Sequence, residues 1–247
     1  GASRGVAIVR LHTAPAPKLH LVCFPPGGGG PELFLRWTTK LPDAVSISCL
    51  HLPGRGARLS ETPYVDMEQL LAGICDELVG ILKSDTPVAF FGHSLGSIVS
   101  FETAQQLLRL HGVSPLHLFV SACSSPRRGV ELEHHLGFGK ASASGTFSTD
   151  TLSDAELVGI LRRAGAPGRG AEKLDDEELA AFFVPSLRTD LKVLRSYTHE
   201  ASRTLPIPLT AIIGRQDPMV DANLIAEWLK HTSQSFAAHI IQGDHGI

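Results

Sequence analysis

Short apolar runs alternate with helical patterns along most of the chain. This alternation predicts a mostly parallel sheet with helices on both faces, which is an α/β fold. The predicted helices cover residues 32–41, 67–83, 94–110 and 222–230. The predicted strands are Leu19–Phe24, Val45–Leu50, Val88–Phe91, Leu116–Val120, Leu209–Ile213 and Phe236–Ile241.

The middle of the chain breaks this pattern. Residues 137–150 are rich in Gly, Ser and Thr, and two amphipathic pieces follow, around 155–163 and 176–183. About sixty residues are too few to build a second hydrophobic core. We therefore predict one domain over residues 1–247, carrying a helical lid insertion over residues 125–185.

Composition narrows the class of protein. The chain has 247 residues, of which 43% are hydrophobic, and a formal net charge of −3 without long runs of one sign. A small net charge without charged runs does not favour binding to nucleic acid or to membrane surfaces. No apolar run is long enough to span a bilayer. The four cysteines are scattered and no metal-ligand spacing occurs. We expect a cytoplasmic monomer with reduced thiols, no cofactor and no metal.

The motif Gly-His-Ser-Leu-Gly at residues 92–96 matches the nucleophile elbow of serine hydrolases. This five-residue motif alone is weak evidence for a nucleophile, so the elements predicted before and after it must be considered as well. A predicted strand precedes Ser94 and a predicted helix follows it, which places the hydroxyl on a strained turn at the sheet's carboxyl edge. We predict Ser94 as the nucleophile of an α/β-hydrolase fold; the alternative is an ordinary turn with a surface serine.

A serine hydroxyl needs a base and an orienting acid, which follow in the order Ser, Asp, His in this fold. His245 directly follows the last predicted strand, and Asp217 directly follows the strand before it. Both loops leave the carboxyl ends of parallel strands, where the sites of such sheets form. We therefore predict His245 as the base and Asp217 as its partner.

Other side chains compete less well for these roles. Neighbouring side chains diverge in an elbow, so we expect His93 to point away from the serine. His231 is expected at a helix end and Asp190 inside a helix. Cys123 ends a strand at the same edge, but no base accompanies it, which favours a core or rim thiol over a nucleophile.

The oxyanion hole should consist of backbone N–H groups. Leu95 follows the nucleophile and supplies the first, while the glycine-rich loop after the first predicted strand supplies the second. Gly27 is the candidate there and Gly28 the reserve, since Pro25 and Pro26 carry no N–H. Four consecutive glycines also suggest a phosphate cradle, but the Lys-Ser/Thr of a P-loop is missing.

With these residues in place, the sequence resembles the type II thioesterases, stand-alone enzymes that release or edit acyl chains on polyketide, nonribosomal peptide and fatty acid synthases. The match covers nearly the whole chain, and residues 90–119 look especially like the medium-chain thioesterases acting beside animal fatty acid synthase. The family-like stretches are residues 23–25 with the glycine loop, 52–55, 90–94, 115–119, 188–191 and 214–217.

The resemblance implies a substrate and a partner. The substrate would be an acyl thioester of phosphopantetheine on an acyl carrier protein, or acyl-coenzyme A, and the insertion would cover the acyl chamber. Basic residues of the insertion either meet the acidic face of the carrier or are ordinary solvated surface; they are Arg127, Arg128, Arg162, Arg163 and Arg169.

The chain departs from the family pattern in two places. The family usually has a histidine or aromatic residue where this chain has Pro26, which bears on the second oxyanion donor. The family also usually continues into a closing helix after the catalytic histidine, whereas this sequence stops two residues after His245. We therefore expect either that a closing helix is absent from the given sequence or that His245 lies on a weakly anchored segment.

Three other functions share these residues. A carboxylesterase or lipase would use the same triad on oxygen esters. An acyltransferase would pass the acyl group to an alcohol or amine instead of water. A non-catalytic binding protein of the same fold usually lacks a triad member, whereas all three are present here.

Overall fold

One seven-stranded sheet organises the molecule. In the computed structural model, residues 6–126, 152–165, 174–199 and 204–246 are described. The strands are β1 (Ala7–His12), β2 (Leu19–Phe24), β3 (Val45–His51), β4 (Val88–His93), β5 (His117–Ser121), β6 (Leu209–Gly214) and β7 (Phe236–Ile241). Their order in the sheet is β1-β3-β2-β4-β5-β6-β7. Only β1 runs antiparallel to its neighbour, so the carboxyl ends of the other six strands share one edge.

Helices connect these strands. They are α1 (Met67–Leu82), α2 (Leu95–His111), α3 (Asp154–Arg163) and α4 (Asp176–Ser196), with 3₁₀ segments over Pro31–Thr39, Gly56–Arg58 and Ala222–His231. Local chemistry explains where they begin. The Asp66 carboxylate caps α1 by accepting from the Gln69 N–H, and reciprocal capping boxes start α3 and α4.

The core lies on both faces of the sheet because strand side chains alternate. Phe24 and Phe90 point into the larger cluster, where α1, α2 and α4 pack. Cys23 and Phe91 point to the opposite face, where they meet Phe34 of the first 3₁₀ segment. Strands buried on both faces fit the continuous apolar runs of the sequence.

The predicted α/β-hydrolase architecture is confirmed, with local differences. The helices predicted over residues 32–41 and 222–230 are 3₁₀ segments, Pro31–Thr39 and Ala222–His231. The sequence reading missed β1, a half-buried edge strand, and it ended the last lid helix near residue 183, whereas α4 continues through Pro185 to Ser196. Much of the predicted lid, including Arg127, Arg128 and Arg169, lies outside the described residues.

No helix in the described ranges combines the length and apolar character that crossing a membrane requires.

Candidate active site

Ser94 occupies the sharp turn between β4 and α2. Its backbone has φ 51° and ψ −121°, an unfavourable conformation for a residue with a Cβ. The turn is tight enough that a methyl group on Gly96 would collide with the backbone carbonyl of Phe24, and one on Gly92 with the carbonyl of Gly96. Glycine is therefore required on both sides of the serine.

The structure brings together the three residues predicted to form the triad. His245 Nε2 lies 3.0 Å from Ser94 Oγ. On the other side of the ring, His245 Nδ1 lies 2.9 Å from Asp217 Oδ2. Asp217 Oδ1 also accepts from the backbone N–H groups of Met219 at 2.7 Å and Val220 at 3.1 Å, which fixes the carboxylate. The side chains of His245 and Asp217 are 4% and 0% exposed.

The loop that carries His245 packs against the end of β6. A methyl group on Gly214 would lie 2.5 Å from the Gly243 carbonyl oxygen, so glycine lets the two backbones approach. Gln216 reinforces this contact: its N–H donates to the Gly243 carbonyl at 2.9 Å, and its side-chain oxygen accepts from the Gly243 N–H at 3.0 Å. His245 is therefore anchored, contrary to the expectation of a weakly held end.

The two candidate oxyanion donors, Leu95 and Gly27, differ from Gly28 in whether the backbone N–H is already hydrogen-bonded. Leu95 begins α2, so its N–H has no acceptor within the helix. Among the described residues, no hydrogen bond from the Gly27 N–H is found. The Gly28 N–H, by contrast, donates to Asp190 Oδ2 at 2.8 Å. The geometry thus removes Gly28 as a donor and leaves Gly27 and Leu95.

A buried ion pair holds the glycine-rich loop. Arg55 binds Asp190 through two hydrogen bonds, of 2.8 Å to Oδ2 and 2.5 Å to Oδ1, and both side chains are almost fully buried. Arg55 also donates to the Gly29 carbonyl at 3.1 Å, and Ser186 donates to the Gly28 carbonyl at 3.2 Å. The sequence analysis predicts Asp190 inside a helix, but it links neither Asp190 nor Arg55 to this loop.

Both described helices of the predicted lid region contact the candidate site. Leu187 of α4 covers the glycine loop so closely that a methyl group on Gly27 would lie 3.3 Å from its Cδ1. Just beyond α3, a methyl group on Gly165 would lie 3.7 Å from Asp244 Oδ1, beside His245.

A small cavity lies behind the glycine loop and reaches the start of α2. Its lining is almost entirely apolar, with Asp190 as the charged member. The apolar side chains include Phe24, Leu50, Leu70, Leu95, Val99 and Val193.

Burial argues against the competing side chains, Cys123 as a nucleophile and His231 as a base. The pKa of the Cys123 thiol is raised to about 12 by burial and, secondly, by the charge of Asp217, so the reactive thiolate is scarce. The pKa of His231 is lowered to about 4, chiefly by burial. Among the described residues, no group of three or more His, Cys, Asp or Glu side chains is placed to hold a metal.

The sequence analysis considers His93 only as a competitor of the catalytic base. The His93 ring lies 5.5 Å from the ring of His245, and its Nδ1 lies 3.1 Å from Ser121 Oγ. Adjacency to the nucleophile was visible in the sequence; the packing against the loop of His245 was not.

Comparison with known proteins places this geometry in a family. The model of the thioesterase domain matches residues 19–246. The chain belongs to the thioesterase family. It is 33% identical to thioesterase PikA5 of Streptomyces venezuelae, over 98% of this chain and 79% of that protein. It is 35% identical to a protein named linear gramicidin dehydrogenase LgrE, of Brevibacillus parabrevis, over 94% of this chain and 82% of that one.

Solved thioesterase structures share the fold. The structure of RedJ, a thioesterase from the prodiginine pathway of Streptomyces coelicolor, superposes with a TM-score of 0.76 at 32% identity. The match covers 94% of this chain and 80% of RedJ. Family membership supports thioester hydrolysis, with editing or release of synthase-bound chains as the setting.

Proposed function

We propose that this thioesterase cleaves acyl thioesters through Ser94, with His245 as the base and Asp217 as the residue that orients it. The continuous set of hydrogen bonds from Asp217 through His245 to Ser94 carries the proposal. Asp217 accepts at Nδ1, so the neutral imidazole presents an unprotonated Nε2 to the serine hydroxyl.

In the first half of the reaction, Ser94 Oγ attacks the thioester carbonyl while its proton passes to His245 Nε2. The tetrahedral oxyanion receives hydrogen bonds from the N–H groups of Leu95 and Gly27. As the intermediate collapses, the C–S bond breaks, and His245 returns the proton to the departing thiolate. The products are an acyl-serine and a free thiol.

In the second half, a water molecule gives a proton to His245 Nε2 and attacks the acyl-serine carbonyl. The same two N–H groups hold the oxyanion. The C–O bond to Ser94 then breaks, the proton returns to Ser94 Oγ, and the carboxylic acid is released. Asp217 stabilises the imidazolium in both halves without taking its proton.

The proposed substrate is an acyl group on the phosphopantetheine of an acyl carrier protein, with acyl-coenzyme A as a second donor. The small cavity beside Leu95 has an almost entirely apolar lining, as the binding site of an acyl chain would have. Residues 125–185 form a lid over the site in this proposal, supported by the proximity of Phe183 to Gly28 and of Gly165 to Asp244. The enzyme acts as a monomer in the cytoplasm in this proposal. Free thiols, such as those of its buried cysteines, stay reduced in that compartment.

The name of LgrE denotes hydride transfer, a different chemistry. A serine hydroxyl bonded to a histidine–aspartate pair serves acyl transfer, and the family of this chain points the same way. Carboxylesterase and acyltransferase activities need the same triad, so the choice of substrate must separate them.

The test compares matched acyl thioesters, on carrier protein and on coenzyme A, with the corresponding oxygen ester. Ser94→Ala should lower thioester turnover by several orders of magnitude, and Cys123→Ala, a change at the same sheet edge, should leave it intact. Turnover confined to the oxygen ester, or unaffected by Ser94→Ala, refutes the proposal. An ester or amide product formed with added alcohol or amine would reveal an acyltransferase.

A further inference from the structure

One buried hydroxyl links the turn of the nucleophile to the neighbouring strand. Ser97 stands in the first turn of α2, three residues after Ser94, and is fully buried. Its Oγ lies 2.9 Å from the Gly92 carbonyl oxygen and 3.0 Å from the Ser121 carbonyl oxygen. The Ser121 N–H donates to the same Oγ at 3.1 Å. The hydroxyl therefore bonds to the carboxyl ends of both β4 and β5.

These contacts differ from those of an ordinary helical serine. A serine inside a helix commonly bonds to a carbonyl of the preceding turn, as Ser100 does with the Ser97 carbonyl at 2.9 Å. The Ser97 hydroxyl instead bonds to two strands outside its helix. Its single proton is shared between the carbonyls of Gly92 and Ser121, and its oxygen accepts from the Ser121 N–H.

The partners of this hydroxyl also hold the backbone of the nucleophile. The Ser94 N–H donates to the Ser121 carbonyl at 2.8 Å, and the Ser94 carbonyl accepts from the Ser97 N–H at 2.9 Å. Ser94 is thus bonded to Ser121 on one side and to Ser97 on the other. The Ser97 hydroxyl joins these two partners to each other, which closes a ring of hydrogen bonds around the turn.

This ring of hydrogen bonds lies where the backbone is strained. Among the described residues, the positive φ angles outside glycine belong to Ser94, at 51°, and Ala122, at 50°. The two residues are neighbours at the sheet edge, since His93 and Ser121, which precede them, are paired in the register of β4 and β5. Such conformations persist only where the surrounding structure enforces them. The contacts of Ser97 reach both strand ends and can enforce both.

We propose that Ser97 is a positioning residue, whose hydroxyl locks the strained turn of the nucleophile to the end of β5 and so keeps Ser94 Oγ in line with His245 Nε2. This inference deepens the proposed function and depends on it. Without the hydroxyl, the side-chain link between α2 and the two strand ends is lost. The strained turn then relaxes, and the 3.0 Å contact between Ser94 Oγ and His245 Nε2 lengthens.

Two variants test this role. Ser97→Ala removes the hydroxyl and should still fold, because alanine favours the helix. Ser100→Ala is the matched control: Ser100 is also fully buried, one turn later on α2, but the hydrogen bond of its hydroxyl stays within the helix. A change in melting temperature that both variants share therefore reports the loss of a buried hydroxyl and not the alignment of the nucleophile.

We expect Ser97→Ala to lower kcat for an acyl thioester by about threefold to tenfold, because a hydrogen bond that aligns the nucleophile is lost. KM should change little, since a fully buried hydroxyl does not touch the substrate. The rate at which a fluorophosphonate labels Ser94 should fall by a similar factor, because this reaction needs the same alignment. Ser100→Ala should keep both rates near those of wild type when all proteins are assayed well below their melting temperatures.

Two results would overturn the inference. One is a wild-type kcat and labelling rate in Ser97→Ala. The other is a loss in Ser100→Ala as large as in Ser97→Ala, because the effect would then come from the packing of α2. Failure of the proposed function itself looks different, because wild-type protein would then neither hydrolyse thioesters nor be labelled at Ser94.

Discussion

The ion pair between Arg55 and Asp190 provides the sharpest test of how the glycine loop is held. Asp190→Asn keeps the shape of the side chain and one acceptor oxygen, but it removes the negative charge. The Arg55 side chain is only 7% exposed, so its charge cannot be compensated by water. Removing one partner of such a buried pair costs about 3–5 kcal/mol.

This loss should be visible in thermal unfolding. In a chain of this size, each kcal/mol shifts the melting temperature by about 2–4 °C, so Asp190→Asn should melt about 6–20 °C lower. The matched control is Asp154→Asn, which breaks the exposed pair with Arg188, also on α4. Exposed pairs contribute about 0–1 kcal/mol, so this control should melt close to wild type.

Activity should respond separately from stability. The Gly28 N–H and the Gly29 carbonyl are both bonded to this pair, and a displacement of about 1 Å in a catalytic group costs about a hundredfold in rate. We expect kcat to fall by about tenfold to a hundredfold in Asp190→Asn, assayed well below its melting temperature.

The double variant Arg55→Met/Asp190→Leu separates the two effects. Replacing both charges with apolar side chains of similar volume should restore most of the melting temperature. It should not restore kcat, because Gly28 and Gly29 still lack their partners. If the double variant regains stability and activity together, the ion pair only stabilises the fold, and the assignment of the loop to oxyanion binding loses its support.

Three further predictions concern strain, reactivity and pH. Ser94→Gly should unfold at higher temperature than Ser94→Ala, because glycine relieves the positive φ, worth about 1 kcal/mol; equal melting curves would contradict the strain. Cys123 should resist iodoacetamide in the native protein and react in guanidinium, as mass spectrometry can show, because its pKa is raised to about 12. The pKa of His231 is lowered from 6.5 to about 4, so between these values the unfolded chain binds more protons and acid destabilises the fold. Its contribution is at most about 1.4 kcal/mol per pH unit, and His231→Leu should flatten denaturant-measured stability against pH by up to that slope.

Residues with strong local signals could be placed from the sequence. The six apolar runs became strands, and Ser94, Asp217 and His245 lie at the ends of β4, β6 and β7 because parallel strands deliver their carboxyl ends to one edge. The prediction of these three residues rests on the motif at residues 92–96, on that edge of the sheet and on the chain order of the triad.

Features that depend on packing between distant segments could not be read in this way. Nothing local in residues 53–56 or 188–191 shows that Arg55 and Asp190 meet, since 135 positions separate them. The same holds for His93, whose partner His245 lies far along the chain. The sequence analysis ends the last lid helix near residue 183, whereas α4 continues through Pro185. A proline usually ends or kinks a helix, but here the flanking turns pack on the core.

The single helix α4 has an evolutionary consequence. It carries Leu187 over the glycine loop, Ser186 and Asp190 bonded to that loop, and Val193 in the wall of the apolar cavity. A substitution that alters the register or tilt of this helix changes the cavity and the loop together. A substitution in α4 is therefore tolerated only where it preserves both the cavity wall and the hydrogen bonds to the glycine loop. When the lid is exchanged between homologues, α4 and the glycine loop should therefore come from the same protein.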